Sequence, residues 1–183
     1  MTAIVGVFGI SGVGKTTLIN AVLHDRPMWI RLSGGTLIQR ARGTVARDTL
    51  RDLSMEQVLA NQRYIVEGVR HFRETTDAPL AFFDGHLLVD LRSTIVDIPL
   101  QVISDLHLAG IVVVHDSVTA IADRRLVDGS RRRDQKAPEE LDAEQSRTER
   151  LSRDYSSKLS IPLEILSAGD VEGLRSFADG LLG

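Results

Sequence analysis

The 183-residue chain contains no cysteine, which excludes a disulfide scaffold and every Cys-ligated zinc or iron–sulfur site. It also lacks any apolar run near the ~18–20 residues that span a bilayer. Nor does one sign of charge dominate. Its 22 basic and 25 acidic side chains leave a net −3, so no global basic field exists to hold nucleic acid or an anionic membrane. The start of the chain is apolar but has no basic lead and runs straight into a glycine-rich segment. That is the pattern of a buried first strand rather than a secretory signal. A cytoplasmic location, with neither membrane nor nucleic acid as partner, is the resulting expectation. What is present is ordinary globular usage, 43% hydrophobic and 26% charged, enough for one domain over 1–183 with a sizeable core.

Short apolar runs alternate with longer helical patterns. Residues 3–8 (Ala-Ile-Val-Gly-Val-Phe) form a continuous apolar run, as in a strand buried on both faces. Further strands are expected at 28–32, 80–83, 111–114 and 163–166. Helices are expected at 15–23, 36–48, 54–76, 100–108, 118–127, 138–159 and 171–182, with Pro99 fixing one start. This alternation predicts an α/β fold with a five-stranded parallel sheet and helices on both faces.

Residues 9–17 read Gly-Ile-Ser-Gly-Val-Gly-Lys-Thr-Thr, matching G-x-x-x-x-G-K-[ST] between a strand and a helix. Glycines let successive backbone N–H groups turn inward around a phosphate, where a Cβ would be penalised. The helix N-terminus adds unpaired N–H groups and a positive dipole end. Gly9, Ser11, Gly12, Val13, Gly14, Lys15, Thr16 and Thr17 are thus the expected ATP-binding residues. Lys15 would bridge the β- and γ-phosphates, and the Thr16 hydroxyl would take a place on Mg²⁺. A carboxylate ending a buried strand beside this loop is suited to the same ion, and Asp84 is that carboxylate. His86 either sits near the acceptor or is a hydrogen-bonded structural histidine.

A GTPase would need an N/T-K-x-D segment after a late strand, and neither 134–137 (Asp-Gln-Lys-Ala) nor 157–160 (Ser-Lys-Leu-Ser) fits it. A motor-type ATPase would need more chain. Arg124, Arg125, Arg131, Arg132 and Arg133 crowd around Asp128-Gly129-Ser130, with Arg150 and Arg153 following. Guanidinium groups this close repel one another unless an anion sits among them. A closing segment carrying them would stabilise a transferring phosphoryl group and exclude water. These features favour a small phosphotransferase over a switch or a motor.

In these residues the chain resembles the archaeal-type adenylate kinases, a branch of the P-loop nucleoside monophosphate kinases. The phosphate loop is similar to the family's G-V-x-G-V-G-[KG]-T-T, and Ser33-Gly34-Gly35-Thr36 resembles its N-F-G-T turn. Leu50-Arg51-Asp52-Leu53 resembles M-R-K-L, and Asp84-Gly85-His86 resembles D-T-H. Residues 124–134 are similar to the lid motif R-R-L-x-D-x-x-R-x-R-D, and Glu149-Arg150 with Tyr155 to the N-R…Y that follows it. The resemblance implies a P-loop NTPase fold catalysing ATP + NMP ⇌ ADP + NDP with Mg²⁺. It also implies an acceptor-binding helical flap over 34–76, a short lid over 128–138, and the option of a homo-oligomer. Thr36, Arg51, His86 and Arg150 would then contact the acceptor. Lys15, Asp84, Arg125, Arg131 and Arg133 would serve catalysis, and Arg132 would face solvent. After Asp-x-His the family continues S-T-I-x-T-P, whereas this chain reads Leu87-Leu88-Val89-Asp90, with Ser93-Thr94-Ile95 appearing later. That departure leaves the acceptor base open. A kinase for another small metabolite, or an ATP-binding switch with slow hydrolysis, stand as alternatives.

Overall fold

A computed structural model describes residues 2–42, 55–91, 94–127 and 136–183. Five parallel strands form the central sheet in the order β2-β3-β1-β6-β7. They are β1 (Ala3–Phe8), β2 (Ile30–Ser33), β3 (Leu80–Asp84), β6 (Gly110–His115) and β7 (Leu163–Ser167). The helices are α1 (Lys15–His24), α2 (Gly34–Arg42), α3 (Met55–Thr75), α4 (Leu100–Asp105), α5 (Val118–Val127), α6 (Pro138–Leu159) and α7 (Val171–Gly180). The expected α/β architecture is the one observed.

The apolar runs are continuous because both sheet faces are covered, and the two-residue period of a strand divides them. Ile4 and Phe8 join Phe83, Ile111 and Val113 in a core beneath α3 and α4. Val5 and Val7 join Phe82, Val112 and Val114 against Leu18, Ile19 and Val22 of α1 and Leu174 of α7. Phe82 is fully buried and meets Trp29 edge-on, their ring centroids 5.8 Å apart. Gly6 is needed between Val5 and Val7, since a Cβ there would lie 2.6 Å from Leu108 and 2.7 Å from Phe8.

The chain leaves β1 toward β2 on one side and later returns to place β6 on the other. The strand order therefore reverses at β1, and the crevice at its carboxyl end is where open α/β sheets take ligands. The segment after Phe8 opens into this crevice. Asp84 arrives beside it because β3 pairs with β1 in register, Val7 opposite Asp84.

One element differs from the sequence reading. Residues 87–97, read only as a departure from a motif, contain an antiparallel ribbon of β4 (Leu88–Leu91) and β5 (Thr94–Asp97). Two residues separate the strands, the spacing of a tight hairpin. Helix α4 is also shorter than the expected 100–108, and a left-handed His107 (φ 49°) follows it. Of the expected 36–48 helix, the part beyond residue 42 lies outside the described residues, as do Arg51, Arg131, Arg132 and Arg133 and the expected lid from 128 to 135.

Because Phe82 bridges β3 and the Trp29 ring with no access to water, Phe82→Ala should destabilise the protein by about 3–5 kcal/mol. Urea unfolding of the two proteins, compared at equal slope, checks this. A loss below about 1 kcal/mol would mean that the core closes over the missing ring.

Candidate functional site

The glycine-rich loop has the backbone that its sequence demands. Gly12 (φ 86°) and Gly14 (φ 111°) are in the left-handed region, where a side chain is strained. A Cβ on Gly12 would stand 2.9 Å from Arg125 Cγ, and one on Gly14 3.1 Å from Ala168 Cβ. Helix α1 begins directly after Gly14 and carries no acidic residue in its first turn. Its N-terminal N–H groups therefore meet no carboxylate from their own turn.

Cationic side chains hold the carbonyls of the loop. The buried Lys15 ammonium donates to Gly9 O at 2.8 Å and Ile10 O at 3.1 Å. Arg125 Nε donates to Ser11 O at 2.9 Å. Arg124 Nη1 donates to Gly12 O at 3.2 Å and Val13 O at 2.9 Å. Every carbonyl from Gly9 to Val13 thus accepts from a lysine or arginine. His86 adds a contact, Nδ1 lying 2.9 Å from Gly9 O. Since a carbonyl only accepts, that ring nitrogen carries its proton.

Arg124 is itself fixed. Its Nη2 pairs with Asp116, just beyond β6. The Asp116 backbone is gripped by Gln145 of α6, whose Oε1 accepts from Asp116 N at 3.1 Å while its Nε2 donates to Asp116 O at 2.9 Å. Partial burial works to raise the Asp116 pKa, but the Arg124 guanidinium and the Ser117 N–H outweigh it and hold the carboxyl below its usual value. Beside this network lies a cleft lined by Gly14, Thr17, Asp116, Arg124, Ala168 and Gly169.

At the helix end of the loop, Thr16 Oγ1 donates to Asp84 Oδ2 at 2.7 Å. Arg31 of β2 approaches the same oxygen at 3.4 Å. A hydroxyl and a carboxylate side by side, next to a loop that a Cβ would obstruct, are hard oxygen donors of the kind Mg²⁺ takes. The residues present fit that ion.

The structure brings together Gly9, Ser11, Gly12, Val13, Gly14, Lys15, Thr16, Asp84, His86 and Arg125, with Thr17 in the adjoining cleft. Arg125, expected to serve the group in transfer, places its Nε on Ser11 O. Thr36 sits in the first turn of α2. Arg150 is not brought to the loop: it is exposed on α6, in a shallow groove with Ser146, Glu149 and Arg153. Its place follows from helical period, since Leu141, Gln145, Thr148, Ser152 and Tyr155 form the buried stripe. Sequence reasoning left Asp116, Gln145 and Arg31 without roles, and counted Arg124 only among the arginines of a closing segment. Asp116 had a signal, for it follows a buried strand as Asp84 ends one.

A model of the AAA domain family matches residues 8–142, from the end of β1 into α6. No curated protein matches the sequence. Among solved structures, TT1252 from Thermus thermophilus superposes with a TM-score of 0.54 at 20% identity, over 100% of this chain and 99% of that one. At that identity the likeness concerns the fold.

Since Arg124 joins Asp116 to two loop carbonyls, Arg124→Met should weaken binding of a non-hydrolysable ATP analogue by roughly tenfold in calorimetry. The pair also sets a pH dependence. A carboxyl whose pKa is depressed by folding contributes stability above its unfolded value and loses it as pH falls through the folded one. The stability gap between parent and Arg124→Met should therefore hold from neutral pH down to about 4 and close below it. A gap that widens on acidification would contradict the assignment.

Proposed function

The chain belongs to the AAA domain family, a P-loop nucleotide-binding fold, and from that premise we propose that it is an ATP-dependent phosphotransferase. The reading specified furthest is a nucleoside monophosphate kinase of adenylate-kinase type, ATP + NMP ⇌ ADP + NDP. The observation that carries the donor half is the loop itself: all carbonyls from Gly9 to Val13 accept from Lys15, Arg124 or Arg125, and Ile10 O also accepts from Val13 N at 3.3 Å. In a peptide unit the N–H points opposite to the carbonyl. Pinning the carbonyls fixes the orientation of the amides that follow them, so the loop is ordered before a triphosphate binds rather than after.

The acceptor half rests on where the chain inserts its helices. Helices α2 and α3 lie between β2 and β3 in sequence, and Gly34 at the start of α2 packs near Ile65 of α3 and Asp84 O. An acceptor held by this unit would lie at the carboxyl edge of the sheet, alongside the donor phosphates. Arg51 is assigned to an acceptor phosphate, and Arg131 and Arg133 to the group in transfer, as the resemblance implies. Thr36 is assigned to the acceptor on the same ground.

Phosphoryl transfer leaves little covalent work to a protein, so positioning and charge must supply the rate. Lys15 offers its ammonium to the β- and γ-phosphates, giving up Gly9 O and Ile10 O, while Arg124 and Arg125 keep their hold on Ser11, Gly12 and Val13. The loop N–H groups and the first turn of α1 fix the donor chain in line. Thr16 and Asp84 would hold Mg²⁺, which when bound supplies charge neutralisation on the phosphates. Arg31 keeps Asp84 Oδ2 turned toward Thr16. Arg125 keeps the Ser11 carbonyl off the phosphate path.

The test is a coupled assay of ATP consumption with AMP, CMP, UMP, GMP and dTMP as acceptors, followed by substitutions. Arg51→Ala should raise the KM for the monophosphate while leaving ATP affinity nearly unchanged. Lys15→Ala should lower kcat by about 10²–10³. Asp84→Asn should weaken Mg²⁺-dependent activity more than metal-free nucleotide binding. If no monophosphate is phosphorylated, a kinase of another small metabolite replaces this reading. If no acceptor of any class raises ATP turnover, an ATP-binding switch replaces both.

A further inference from the structure

Lys136 is the least exposed of the described ion-pairing cations outside the loop, with 14% side-chain exposure, and it sits between two carboxylates. One is Asp90 of β4, at 2.6 Å, and the other is Glu144 of α6. Burial works against its charge, but the two carboxylates prevail and raise its pKa above the ordinary lysine value. A bridge this sheltered is costly to place, and removing the lysine leaves two carboxylates uncompensated. It joins two elements that are otherwise separate in sequence and sheet.

The ribbon, with the residue that follows it, meets α6 twice more. Arg147 of α6 pairs with Asp97 of β5 at 2.8 Å. Tyr155 Oη donates to Ile98 O at 2.7 Å, where the ribbon ends. Ile98 N in turn donates to Leu87 O at 2.8 Å, closing the base of the ribbon. Glu144, Arg147 and Tyr155 recur at helical spacing on one side of α6. The neighbouring residue, Gln145, grips Asp116 and through Arg124 the phosphate loop. Helix α6 therefore holds the ribbon through Glu144, Arg147 and Tyr155, and the donor loop through Gln145.

The ribbon begins four residues after Asp84 and follows His86, which contacts Gly9 O. It follows the carboxyl end of β3, whose Asp84 accepts from Thr16. We infer that Lys136 is a positioning residue: by tying Asp90 to Glu144 it fixes the β4–β5 ribbon as a wall of the acceptor side, at a distance from the phosphate loop that α6 sets. The assignment of that wall to the acceptor rests on the kinase reading above. The anchoring of the ribbon does not.

Two variants test it. Lys136→Met leaves Asp90 and Glu144 facing each other across the gap. Asp90→Asn removes the ribbon's charge from its half-exposed side and keeps the Lys136–Glu144 pair, so it folds even if the first variant does not. Amide hydrogen exchange should rise about tenfold or more in peptides covering 88–97, with β1 and β6 unchanged. The Kd for an ATP analogue should stay within about twofold, while the acceptor KM rises about tenfold or more. Lys136→Arg, which can reach both carboxylates, should restore both readouts. Unchanged exchange in 88–97 overturns the inference. So does equal loss of ATP and acceptor affinity with faster exchange throughout, the signature of a merely structural role. If the parent protein transfers phosphate to nothing, the kinase reading fails, and the exchange pattern alone upholds or overturns the anchoring.

Discussion

A peptide group cannot turn its carbonyl outward without turning its N–H inward. The site depends on that constraint. A free glycine-rich loop has no reason to choose one face for its amides, because glycine admits both. Here the choice is enforced by side chains, Lys15, Arg125 and Arg124 taking successive carbonyl oxygens before a ligand is present. Two of the three come from α5, more than a hundred residues along the chain. Folding α5 against the loop thus does for the amide dipoles what a bound phosphate would otherwise have to do, and the ordering cost is met before the ligand arrives.

Around that loop the fold supplies rigid support rather than further chemistry. The sheet sets the separation of Thr16 and Asp84, because β1 and β3 are neighbours in register and α1 starts where β1's loop ends. Helix α6 supports the other side. Its charged length would be a poor isolated helix, but Leu141, Thr148, Ser152 and Tyr155 bury one stripe, and its polar residues Glu144 and Gln145 face inward with partners rather than outward to water. Buried polar groups with complete partners fix relative position more sharply than apolar contacts do.

The fold was legible in the sequence where its causes are local. Continuous apolar runs gave the parallel strands, since burial on both faces removes alternation, and glycine spacing with Lys15 and Thr16 gave the loop. The ribbon at 88–97 was missed because a motif comparison took precedence over its own two-residue spacing between apolar runs. Arg124 stood in view among the arginines, but nothing in its neighbours distinguishes a side chain that holds a backbone from one that awaits an anion. Lys136 was less legible still: its two carboxylates lie on β4 and α6, and only the tertiary structure makes one cation serve both. Arg150 shows the converse, where a motif position lands on the solvent face because the helix's buried stripe is set by other residues.

The central claim, that the loop's amides are already aimed at a phosphate chain, is tested most directly by amide NMR. A ¹⁵N-labelled sample is titrated with a non-hydrolysable ATP analogue, and backbone signals of residues 10–17 are followed. The account predicts large downfield proton shifts confined to these amides, with their signals sharp and dispersed before any nucleotide is added. Nucleotide binding that leaves 10–17 unmoved, or loop signals that sharpen only after binding, would contradict it.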